Sequence, residues 1–155
     1  MTEIEKIIQE EVHTLYWDYD INCARTTLLT LGKLFHKEIK EQTVNAAVGL
    51  HGGGGYRAQC GIVEGCLMFI ALMSKEEYMK SDTETASFCF DFVEMFEKKF
   101  KSLRCYDLRP DGFREDDPPH LCEELTKKGI QCAYAYCMEL FHRNEKIAGT
   151  SGTNY

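Results

Sequence analysis

Apolar residues recur at intervals of three and four through most of this chain, and that spacing predicts helices, with no convincing two-residue alternation to compete. Ile4, Ile7, Ile8, Val12 and Leu15 share one side of residues 3–16, opposite Glu3, Lys6, Glu10 and Glu11, which gives a first amphipathic helix. Trp17 to Asp20 break the pattern. Asn22 can then cap a second helix, from Cys23 to Lys40, with Ala24, Leu28, Leu31 and Phe35 on one face. A short helical piece, TVNAAVGL, leads into GLHGGGGYRAQCGIVEG, residues 49–65.

The helix that follows, about Cys60 to Ser74, is apolar on nearly every side and is therefore the predicted buried centre. Gly61 and Gly65, four apart, leave a smooth patch where another backbone or a cofactor can come close. Ser81 and Glu84 form a capping box before a helix whose apolar side holds Phe88, Cys89, Phe92, Val93, Phe96 and Phe100. A turn-rich polar stretch, DLRPDGFREDDPP, comes next. Asp117 and Pro118 mark the expected start of the last helix, from about Pro119 to Asn144. The expectation is an all-α, single-domain bundle of five to six helices over residues 1–147, with a glycine-rich loop before the central buried helix and a flexible tail at 148–155.

Composition narrows the function. With 155 residues and 44% hydrophobic content the chain can build one core. A net charge of -7 argues against nucleic acid or an anionic membrane as partner, because both need a basic stripe. No apolar run reaches the roughly 18 residues that span a bilayer, and the acidic, amphipathic N-terminus is unlike a signal peptide. A cytoplasmic protein is expected, where thiols stay reduced. Eight cysteines in 155 residues is about 5%, below the density of a disulfide scaffold. A metal, a cluster or redox chemistry outranks stapling.

The cysteines divide by position. Cys23, Cys60 and Cys122 fall in the first turns of predicted helices, and Cys105 lies in the irregular segment between two. At a helix N-terminus the dipole and free N–H groups favour the thiolate, the form that binds metals and attacks disulfides. Cys66, Cys89, Cys132 and Cys137 are mid-helix, where a cysteine commonly packs as a small apolar residue. There is no C-x-x-C, no haem-attachment C-x-x-C-H and no ferredoxin-type run. His51 and His120 lack a recognised spacing with cysteine for ligation. The GGGG run does not continue to Lys-Ser/Thr, so it is no P-loop, and Arg57 beside it reads as a solvated loop residue with an anion site as the alternative. Glu115, Asp116 and Asp117 lack calcium-loop spacing.

Asn22-Cys23-Ala24, Cys60-Gly61-Ile62-Val63-Glu64-Gly65, Cys105 and Cys122 together resemble the C_GCAxxG_C_C family of redox-active proteins, over most of the chain from Asn22 to the last helix. Ile62 stands where the family motif usually has alanine, a change expected to tighten the pocket. The family's relatives include the split-Soret cytochromes, which carry an iron–sulfur centre and haem; without a haem motif only the cluster part of that likeness carries over.

The resemblance implies an iron–sulfur cluster, 2Fe-2S or 4Fe-4S, held by Cys23, Cys60, Cys105 and Cys122, with Gly53, Gly54, Gly55 and Gly61 lending close backbone approach and N–H donors. Such a protein would serve as an electron carrier or oxidoreductase with a redox partner protein, and a homodimer is compatible with its apolar and aromatic surface. Two other readings use the same cysteines: a metal-free thiol–disulfide oxidoreductase and a module binding zinc or another soft metal.

Overall fold

Five helices of more than seven residues carry the fold: α1 (Glu3–Trp17), α2 (Cys23–Leu34), α3 (Gly61–Leu72), α4 (Asp82–Phe100) and α5 (Glu123–Thr150). The computed structural model describes the backbone of residues 1–150 and the side-chain surroundings of residues 1–142. Among the described residues there is no strand, and one isolated antiparallel bridge joins Gln59 to Arg104. No described helix is long and apolar enough to cross a membrane.

The caps largely follow the sequence. Thr2 with Glu5, and Ser81 with Glu84, form reciprocal capping boxes at α1 and α4, each satisfying two otherwise orphaned N–H groups. Asn22 caps α2 by accepting the Arg25 N–H at 3.0 Å.

The apolar stretch after the glycines is central, as expected. α3 packs most extensively on α2 and also meets α4 and α5. Ile62, Val63, Cys66, Phe69 and Ile70 on it are all fully buried. They join Ile8 and Val12 of α1, Leu28 and Leu31 of α2, Phe92 and Phe96 of α4, and Ile130, Ala133 and Cys137 of α5 in one continuous core. Gly65 makes the α2–α3 contact possible, since a methyl group there would stand 2.5 Å from the Ala24 carbonyl. The smooth patch thus receives a helix backbone.

Three boundaries differ from the periodicity. α2 stops at Leu34 rather than Lys40. His36 takes a positive φ of 52°, and the Lys37 N–H reaches back to the Gly32 carbonyl at 2.8 Å, the hydrogen-bond pattern of a left-handed C-terminal cap. Ile39 then folds against Gly32, in space that a methyl group would occupy.

α5 starts at Glu123 instead of Pro119. Each residue before a proline is pushed towards extended backbone, so Asp117-Pro118-Pro119 resists helix, and His120 adds a positive φ of 61°. Asp117 does not cap the helix; its carboxylate accepts from the Arg114 N–H at 2.8 Å and from Arg109 at 3.2 Å. At its other end α5 runs past Asn144 to Thr150, and 151–155 of the expected tail lie outside the described residues.

Candidate functional site

The four cysteines at element ends lie around one end of the bundle. Cys23 is the first residue of α2, and Cys60 is the N-cap of α3 rather than part of its first turn. Cys105 opens a single helical turn, Cys105–Leu108, where the sequence reads as irregular. Cys122 immediately precedes α5, and its carbonyl accepts from the Thr126 N–H at 2.8 Å.

A small antiparallel ladder joins Cys60 and Cys105. The Cys60 N–H donates to the Leu103 carbonyl at 2.8 Å, and the Cys105 N–H donates to the Ala58 carbonyl at 2.6 Å, either side of the Gln59–Arg104 bridge. The glycine run shapes the approach to this ladder. Gly52, Gly53, Gly54 and Gly55 all have positive φ, between 58° and 79°, so the loop is a left-handed turn closed to other residues except at a strain cost. Asn22 fastens it to α2, donating to the Val48 carbonyl at 2.7 Å while its oxygen caps the helix.

Glycine also meets sulfur directly. A methyl group at Gly61 would collide with Cys23 Sγ, and one at Gly52 would stand 3.4 Å from Cys105 Sγ. Gly55 lines the cleft described below. Gly53 and Gly54 do not: a methyl group at Gly53 would face Ala58, and one at Gly54 would meet open space. Gly52 has the position anticipated for those two.

A cleft of about 640 Å³ opens beside these elements, lined among others by Cys23, Cys105 and Cys122. Cys60 is buried next to it and interacts electrostatically with the other three thiols. Burial, reinforced by the other three sulfurs, pushes the Cys23 thiol up to about 12. Cys60 is also pushed up to about 12 by burial, against hydrogen bonds from the Ile62 and Val63 backbone at the start of α3. Burial raises Cys105 and Cys122 as well, opposed by Arg109 at both and by Arg57 at Cys105.

The cysteines with a glycine-flanked second member, on separate elements of an all-α bundle, match the family model described as "Putative redox-active protein (C_GCAxxG_C_C)" over residues 21–136. The chain belongs to this family. No curated protein and no solved structure matches it. In this C_GCAxxG_C_C protein the structure corrects the expectation that Ile62 narrows the cleft. Ile62 is fully buried and points at α5, where a methyl group on Gly129 would stand 2.6 Å from its Cγ2. The missing side chain at Gly129 leaves the room that Ile62 fills.

The donor chemistry of the site fits an iron–sulfur centre in this C_GCAxxG_C_C protein: thiols on four elements, a helix start directing N–H groups at Cys60, and arginines near Cys105 and Cys122. Among the described residues, no group of three or more His, Cys, Asp and Glu side chains is arranged to hold a single metal ion. The fit lies in donor type and placement around a volume.

Aromatic and polar neighbours hold the fourth corner. Tyr16 is buried, bonds Thr126 Oγ1 at 2.7 Å and stacks on His120 at 4.8 Å between centroids. His120 Nε2 lies 3.1 Å from Asp20, and His51 bonds the Val48 carbonyl at 3.2 Å on the cleft rim. Glu123, beside Cys122, accepts from Trp17 Nε1 at 2.9 Å and pairs with His13 and Lys127. Burial works against its charge, but those three partners prevail and hold the carboxyl down to about 2. This knot ties the end of α1 to the start of α5 and so fixes Cys122.

Sequence reasoning passed over three residues that line the cleft: Arg25, Arg109 and Phe113. A signal was present. Arg25, Arg57 and Arg109, all on the cleft, each fall within four residues of Cys23, Cys60 or Cys105.

Proposed function

We propose that this redox-family protein carries electrons through an iron–sulfur cluster ligated by Cys23, Cys60, Cys105 and Cys122. The observation that carries this reading is the gathering of those four thiols, from separate segments, around one cleft. When bound, the cluster supplies one-electron chemistry at a potential set by charge, hydrogen bonds to sulfur and solvent access. The chain's own part is to hold four thiolates, direct the Ile62 and Val63 N–H groups at Cys60, and shield the sulfurs in a partly apolar cleft.

The thiol levels favour this reading over a metal-free dithiol. Burial raises Cys23 and Cys60 and so works against the free thiolate that would have to attack a disulfide. A bound metal reverses that penalty by neutralising the sulfur charge.

The test is elemental analysis for iron, acid-labile sulfide and zinc, with visible absorption, on protein expressed and purified without air. Iron and sulfide with a charge-transfer band are expected. A colourless protein lacking both sinks the cluster. Stoichiometric zinc would then point to a soft-metal module, whereas a reversible two-electron thiol titration lost in Cys60→Ser would identify a thiol–disulfide oxidoreductase.

A further inference from the structure

The cleft beside the cysteines gathers positive charge. The chain carries a net charge of -7, yet three of its six arginines, Arg25, Arg57 and Arg109, line this one concavity. Arg109 is partly committed, through a 3.2 Å contact with Asp117 and a bond to the Gly112 carbonyl. Arg57 and Arg25 have no carboxylate partner among the described residues, and the Arg25 Nε is buried without a hydrogen-bond partner. Asp20, the carboxylate lining the cleft, is turned to His120.

The guanidinium groups are also oriented. Arg57 and Arg109 both lie over the Phe113 ring, 4.0 and 4.6 Å from its centroid, an arrangement that limits their rotation while leaving N–H edges for an anion. An unpaired buried guanidinium nitrogen is costly unless something accepts its hydrogen bond. The volume, about 640 Å³, is that of a site for a small organic molecule.

We propose that the cleft binds a small organic molecule bearing an oxyanion, a carboxylate or a phosphate, gripped by Arg57 and Arg25 beside the four cysteines. This rests on the reading of the cleft as the redox site, though not on which metal, if any, is bound there.

The test is calorimetric titration of the anaerobically purified full chain with succinate, with inorganic phosphate and with neutral succinamide, at constant ionic strength, with iron and sulfide measured on the same samples. Saturable binding of succinate or phosphate is expected, at roughly millimolar affinity or tighter, with succinamide inert. Whichever anion binds names the headgroup. Arg57→Gln and Arg25→Gln should each weaken binding by at least about tenfold. The proposal is overturned if neither anion saturates, or if both variants bind like the parent. It is also overturned if Arg57→Gln empties the iron while leaving anion binding unchanged, because the arginine would then balance the charge of the centre. Arginine-dependent binding in an iron-free sample upholds the anion site and removes the cluster.

Discussion

The eight cysteines form two populations, and their surroundings differ more than their burial does. Cys23, Cys60, Cys105 and Cys122 stand at the beginnings of elements, where backbone N–H groups are free and arginines are near. Cys66, Cys89, Cys132 and Cys137 stand within helices, with Cys66, Cys89 and Cys137 in or against the apolar core. Cys132 directs its thiol at Met95 Sδ, 3.2 Å away, and burial pushes Cys137 up to about 12. Every thiol in both sets is free and bears a burial penalty. What separates them is what lies beside them: the first set borders a cleft that a ligand can enter, whereas Cys66 and Cys137 of the second are sealed by packing and Cys89 is half-buried on its helix.

The largest contrast should come from one substitution in each set. Cys60→Ser is expected to abolish iron binding and colour, whereas Cys66→Ala should retain both and lose about 1–2 kcal/mol of stability through the small cavity left behind. Iron content and urea denaturation of the two variants measure this. Equal iron loss in both would erase the division between site and core cysteines.

Gly61→Ala tests whether the site depends on the missing side chain. Its methyl group would collide with Cys23 Sγ and press on the Ala24 nitrogen, so a loss of about 3 kcal/mol, together with most of the iron, is expected. Normal iron loading and an unchanged denaturation midpoint would break the argument that α2 and α3 touch through this glycine.

A smaller effect is expected on acidification. Glu123 is held down to about 2, below its ordinary value of 4.5. Its contribution to stability is therefore full above the unfolded value and disappears as pH falls towards the folded one. Allowing for the exposure of His13, that contribution is on the order of 2 kcal/mol. Thermal midpoints of the wild type should fall between about pH 5 and pH 2, and Glu123→Gln should flatten that slope. A parallel slope in the variant would show that the α1–α5 knot is idle.

Much of the fold was legible because helices are local. The Ser81–Glu84 box, the Asn22 cap and the apolar run after Cys60 each act within a few residues, and each appears in the structure. The end of α2 was not legible in the same way: His36 in left-handed backbone and Ile39 returning to Gly32 depend on tertiary packing. The late start of α5 is written in Pro118-Pro119, where the restriction on the residue before proline outweighs the preference for proline at N1. Motif resemblance singled out the four cysteines, and the fold brings them around one cleft. Proximity in sequence to those cysteines marks Arg25, Arg57 and Arg109, but their common destination appears only once segments far apart in sequence meet at the cleft. Motif resemblance could not reveal that Ile62 turns away from the site into space left by Gly129.

The Gln59–Arg104 ladder carries an entropic cost. Its two residues are 45 positions apart, and a contact of such separation forms only after the entropy of closing the intervening chain has been met. The helical hairpin of α3 and α4 spans that closure, so docking those helices offsets the cost of bringing Cys60 and Cys105 together. The sulfur site thus rests on long-range contacts, and its assembly draws on the same closure entropy that the bundle itself must overcome.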